Sequence, residues 1–161
     1  HNRAMWGSKL GLGQSAPGDA ELVAELVSLL KVVETDMTIF FRSLGTIDGP
    51  NPLDMAHAYY NEAALPIDEL GLWLGKWWSR VDGDPDREAM NNANPKYVLR
   101  NWMSQLAIEA AEADDYSVAI ELQDLLRAPY EEQPSSQDRW YKKRPEWARH
   151  KVGCSMLSCS S

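Results

Sequence analysis

One apolar stripe constrains this chain more than any other feature. Leu22, Leu26, Leu29, Leu30, Val33, Met37, Phe40, Phe41 and Leu44 recur at three- and four-residue spacing, the period that lines one face of an α-helix. Asp19 opens the stripe as a capping residue and Gly45 closes it. The expectation is a single long helix over 19–44. Shorter stripes predict further helices: from about Pro52 to before Pro66, from Pro66 through Trp77, from Asp84-Pro85 through Met90, and one carrying Val118, Leu122, Leu125 and Leu126. Residues 1–18 read as a short helix or loop followed by a turn. No internal repeat and no strand is evident, so the fold class expected is all-α.

The stretch Asn94-Pro95-Lys96-Tyr97-Val98-Leu99-Arg100-Asn101-Trp102 reads as a helix start, with Asn94 as N-cap and Pro95 at the first helical position. Val98, Leu99, Trp102, Met103, Leu106, Ala107, Ala110 and Ala111 continue it to about Ala113. A capped core helix accounts for the apolar positions. It does not call for Lys96, Arg100 and Asn101, three polar groups beside two large aromatics.

After Ala128 the character changes. Pro129, Pro134 and Pro145 rule out a continuous helix, which gives a helical domain over 1–128 and an extended arm and tail over 129–161. Trp140 and Trp147 are candidates to pin that arm. Net charge is −8, which argues against sequence-independent nucleic-acid binding. Yet six Lys/Arg stand between Arg139 and Lys151 against one acid, Glu146. Such a run is either solvated, or docked on the acidic helical body, or placed to favour thiolate in the cysteines after it. No apolar run is long enough to cross a membrane, and no signal-peptide pattern opens the chain. His1 stands without an initiator Met, so a piece of a longer protein is expected, with any targeting segment outside it.

Catalytic motifs are scarce. No phosphate-cradling glycine loop follows a strand, and no kinase catalytic-loop or Asp-Phe-Gly pattern is present. His150, Cys154 and Cys159 would give three zinc ligands without CxxC spacing. His57 reads as an ordinary hydrogen-bonded histidine, and Glu131-Glu132 and Asp114-Asp115 as solvated loop acids. Cys154 and Cys159 are either incidental thiols or a redox pair in an aperiodic tail. Extended, they would stand up to about 17 Å apart, whereas a disulfide needs Cα atoms within roughly 7 Å. Pairing would require a tight turn or a partner elsewhere.

Taken together, several segments resemble the selenoprotein O (SelO/YdiU) family. Asn94–Asn101 with Gln105, Ala107-Ile108 and Ala110-Ala111 is similar to its signature, and Trp6–Leu12 and Asp36–Arg42 resemble two earlier segments. Pro129–Pro134, Pro145–Ala148 and Ser158–Ser161 are similar to its C-terminal run. Trp102 departs from the common Tyr, Asp114-Asp115 from Gly-Asp, and Lys151–Ser158 from the close spacing of tail cysteines in some members. The resemblance implies the C-terminal, helical region of a kinase-like pseudokinase that transfers AMP from ATP to Ser, Thr or Tyr hydroxyls of protein substrates. ATP and Mg²⁺ (or Mn²⁺) would be bound by a missing N-terminal kinase-like domain acting in cis, with no catalytic residue in this chain. It implies a redox role for Cys159, with Cys154 a second candidate, and a domain-docking role for Lys96, Arg100 and Asn101. Family members are mitochondrial in eukaryotes and cytoplasmic in bacteria. The rival readings are a non-catalytic helical interaction module and a thiol redox protein without AMP transfer.

Overall fold

The helix expected over 19–44 is two helices. In the computed structural model, which describes residues 2–152 and 154, α1 spans Asn2–Lys9, α2 Asp19–Leu29 and α3 Met37–Leu44. The stripe continues in phase on both sides of the break: Leu22, Leu26 and Leu29 are buried on α2, and Ile39, Phe40, Phe41 and Leu44 on α3. A non-local pairing interrupts it. Thr35 forms an isolated antiparallel bridge with Tyr59. Asp36 N–H donates to Ala58 O at 2.8 Å, and Tyr60 N–H to Glu34 O at 3.0 Å. The β-branched Thr35 suits that extended backbone. Asp36 then caps α3, its carboxylate accepting the Ile39 N–H at 3.1 Å, as N-cap residues do.

Pro52–Ala58 winds as a 3₁₀ rather than an α-helix, opened by the Asn51 side chain, and a 3₁₀ turn covers Glu62–Ala64. α4 (Ile67–Arg80) and α5 (Arg87–Ala93) follow. Asp86, not Asp84-Pro85, caps α5, accepting the Ala89 N–H at 2.9 Å.

By packing, the chain forms two compact units, His1–Asn94 and Pro95–Ser161, whereas its composition changes at Ala128. Within the first, α2 packs on α4, and α1 and α3 pack on α5. The indole N–H groups of Trp77 and Trp73 donate to Leu10 O at 2.8 Å and Leu22 O at 2.9 Å, so neither buried ring strands a donor. Arg42 is buried and donates to both Asn91 O and Asn94 O at 3.1 Å. Burial pushes the Tyr59 phenol up to about 12, against a hydrogen bond with Thr35. His57 Nε2 and Ser43 Oγ are 2.7 Å apart, the ordinary hydrogen-bonded histidine that was expected.

The second unit contains α6 (Asn101–Glu112), α7 (Ser117–Arg127), α8 (Pro134–Trp140) and a 3₁₀ turn at Glu146–Ala148. α6 and α7 pack together as neighbours. The three prolines prevent a continuous helix after α7, and Pro134 instead opens α8 at its first position, where its missing N–H costs nothing. Tyr97, Trp102, Met103, Leu122, Leu125, Trp140, Ala148 and Cys154 form the core. The chain is all-α: no strand occurs among the described residues. No helix among them is long and apolar enough to cross a membrane.

Asp19 gives the first unit an acid-sensitive joint. Its carboxylate accepts from Arg80 Nε at 2.7 Å and is buried. The Arg80 hydrogen bond holds its carboxyl below the usual carboxylate range, outweighing the upward push of burial, with help from the Ala16 N–H and the charges of Arg80 and Arg3. A carboxyl depressed by folding stabilises the fold above its unfolded pKa and loses that contribution as pH falls through the folded value. Asp19→Asn should therefore lower stability at pH 7 by about 1–2 kcal/mol. The gap from the parent should close below about pH 4, as read from urea melts across pH.

Candidate functional site

The helix expected to begin at Asn94 begins at Asn101. Asn94 instead ends α5, its N–H donating to Met90 O at 2.9 Å, with extended backbone at φ −116 and ψ 97. Proline disfavours helical backbone in the residue before it, so Pro95 turns the chain out of α5. Asn94 is buried and donates through Nδ2 to Lys9 O at 2.9 Å, while Arg42 occupies its carbonyl. It is a joint of the first unit and the C-cap of α5, not an N-cap.

Residues 95–100 carry no helix, and their backbone finds partners elsewhere. The N–H groups of Lys96 and Tyr97 both donate to Pro129 O, at 2.8 and 3.0 Å. One carbonyl thus ties the Pro95 bend to the chain leaving α7. The side chains repeat the link. Lys96 is 5% exposed, and its ammonium donates to Glu132 and, at 2.8 Å, to Gln137 Oε1, lying 4.9 Å from the centre of the Tyr141 ring. Tyr97 donates its hydroxyl to Gln133 O at 3.1 Å. Gln133 Nε2 donates in turn to Leu125 O and Ala128 O, at 2.9 and 2.8 Å.

Of the three residues expected to dock a further domain, Lys96 is therefore turned inward onto its own unit. Arg100 is also buried, as the residue preceding α6, and Asn101 is half-buried at the first helical position. The partners that sequence reasoning missed are Glu132 and Gln137. The signal for Glu132 was the Glu131-Glu132-Gln133 run, whose acids read as solvated. Its side chain is indeed 64% exposed, yet it reaches the buried ammonium.

The basic run docks on acids of its own unit. Arg139 pairs with Glu121 and Lys151 with Glu109, and the Lys151 hydrogen bond, followed by that from Gln105, holds the Glu109 carboxyl below the usual range. Trp140 is buried, donates to Glu121 Oε1 at 2.7 Å and stacks on Trp102 with centroids 5.8 Å apart. It pins the arm, whereas Trp147 remains 45% exposed. Cys154 lies at the end of this arrangement, a free thiol buried in the core. Thiol chemistry runs through accessible thiolate, so Cys154 is shielded rather than presented. Cys159, and with it the Cys154–Cys159 pairing, lies outside the described residues.

Three bacterial proteins align with nearly all of this chain. One from Flavobacterium johnsoniae is 45% identical over 99% of the chain and 33% of its own length. One from Aromatoleum aromaticum is 44% identical over 99% of the chain and 32% of its own length. One from Rhodopirellula baltica is 45% identical over 98% of the chain and 34% of its own length. All three are named protein nucleotidyltransferase YdiU. The chain belongs to the SelO/YdiU family. No protein-family model matches it. It spans about a third of the length of these curated relatives.

Among the described residues no group of three His, Cys, Asp or Glu side chains could hold a metal ion, and Lys96, the most buried lysine, is engaged by Glu132 and Gln137. What the arrangement does is mechanical: it fastens the segment after α7 to the bend before α6. Lys96→Met keeps the aliphatic length and leaves Glu132 in water, so it should cost only about 1–2 kcal/mol. Lys96→Glu sets a buried charge beside Glu132 and should cost more than about 3 kcal/mol. Equilibrium urea unfolding followed by tryptophan fluorescence distinguishes the two.

Proposed function

We propose that this chain is the C-terminal portion of a protein adenylyltransferase. In the full-length protein a Ser, Thr or Tyr hydroxyl oxygen attacks the α-phosphorus of ATP. The bond to the β-phosphate breaks, pyrophosphate leaves, the hydroxyl proton passes to solvent or a base, and AMP remains on the protein as a phosphodiester. Mg²⁺ or Mn²⁺ supplies charge neutralisation on the phosphates. Nucleotide and cation are held by a kinase-like region outside this segment. The observation that carries the reading is the identity of about 45% along almost the whole chain to proteins named as nucleotidyltransferases. The sequence, which lacks a phosphate-binding glycine loop, supports placing the chemistry elsewhere.

In this reading the segment braces the catalytic region, and the tail cysteine Cys159 acts as a redox gate. The docked arm supports the brace: the Pro129 carbonyl, Lys96 and Trp140 fasten residues 129–140 to the Pro95 bend and to α6 and α7. Full-length protein given ATP labelled on the α-phosphate, Mg²⁺ and a cell extract should label protein hydroxyls, and label on the γ-phosphate should not transfer. Retention of γ-label alone would make it a kinase. Cys159→Ser should remove any response of that transfer to oxidant and reductant, and an unchanged response would end the gate.

A further inference from the structure

A cleft of about 810 Å3 opens in the first unit beside α1, the loop that follows it and the start of α2. Ala4, Trp6, Leu12 and Val23 give it apolar walls with Gly7 among them, and the charged Arg3 and Asp19 also line it. Trp6 packs its ring 5.9 Å from that of Phe41 yet stays partly exposed.

Gly7 is the telling residue. It lies inside α1, where glycine is the least favoured residue apart from proline. A Cβ placed on it would meet nothing within 4 Å, so no neighbour in this chain requires its side chain to be absent. Gly11 shows the contrast: a Cβ there would come within 2.9 Å of Asp86 N and Met90 Sδ, and its φ is +62. Gly11 is explained by its own unit, and Gly7 is not. A helical glycine facing an open apolar cleft is the arrangement that lets another backbone or a bulky side chain approach closely.

The occupant follows from chain length and charge. The relatives are about three times as long as this chain, which covers 33% of one and 32% of another. On the reading above, the remainder precedes α1 and joins it beside this cleft. A second copy is a poorer fit, since each copy carries a net charge of −8 and like-charged copies repel. We infer that the cleft receives an apolar segment of the polypeptide that precedes α1 in the full-length protein, seated against Gly7. This rests on the proposed C-terminal placement and adds the surface through which the segment is held.

The test compares Gly7→Leu in two backgrounds. In the 161-residue chain the new side chain enters open space, so the melting temperature should stay level or rise. In the full-length protein it should fall by several degrees, because leucine takes the place of the docked segment. In the wild type, amides of residues 20–24 should exchange with deuterium at least tenfold more slowly in the full-length protein than in the short chain. Equal effects of Gly7→Leu in both backgrounds, or equal exchange, overturn the inference. So does a dimer of the 161-residue chain, seen by sedimentation, that Gly7→Leu dissolves. A failed AMP-transfer assay with the melting difference intact removes the proposed activity and leaves the docking surface standing. The opposite pair of results does the reverse.

Discussion

Pro95 denies a helical backbone to the residue before it, and much of the structure accommodates that single restriction. Asn94 must leave α5 extended, which frees its carbonyl, and Arg42 is buried to receive it. The amides that follow have no helical acceptors, and Pro129 O takes two of them. Buried backbone groups without partners cost of order 1–3 kcal/mol each. Each of these contacts therefore removes a penalty that the proline creates. The first unit closes with Asn94 bound to Lys9 O, and the second begins with the bend bound to the end of α7.

The same proline explains what was and was not legible beforehand. Asn-Pro is a common helix opening, and only contacts from far along the chain reverse that reading. Lys96 finds its acceptors 36 and 41 residues away, a separation no local pattern reports. The break between α2 and α3 was hidden for a related reason: the stripe stays in phase across it, and the pairing of 34–36 with 58–60 is what ends the helix. Faces were legible because burial imposes a period, as at Leu70, Trp73, Leu74 and Trp77, all buried on α4. Partners were not, because hydrogen bonds between distant segments leave no period. Lys96 and Arg100 stood out correctly as polar groups in apolar company. That they are buried inside the structure, rather than offered outward, required coordinates.

Function sits one step further from the physics. Composition argued against sequence-independent nucleic-acid binding, and motif spacing offered no phosphate-cradling glycine loop, but neither named an activity. The relatives are named nucleotidyltransferases, and the fold of this chain is two helical units, one ending in a clamped joint and one carrying a strapped arm. The open cleft beside α1 and the closed Lys96 cluster assign these surfaces opposite duties, the first left free for contact and the second consumed in holding its own unit together.

The arm is fastened by contacts of two different kinds. Near its middle, Trp140 is buried against Trp102, a contact that dissolved ions do not weaken and that excluded salts such as sulfate strengthen. The other fastenings are ionic, Arg139 to Glu121 beside that stack and Lys151 to Glu109 toward the end of the arm, with side chains between 36% and 51% exposed. Pairs so exposed are screened within about 8 Å at physiological ionic strength. The segment accordingly has a graded hold, loosening from its last turn inward as ionic strength rises while the tryptophan stack stays in place. Cys154 lies just beyond Lys151 and is itself part of the apolar core, so the shielding of that thiol rests on the packing beneath it as well as on the ionic pair before it.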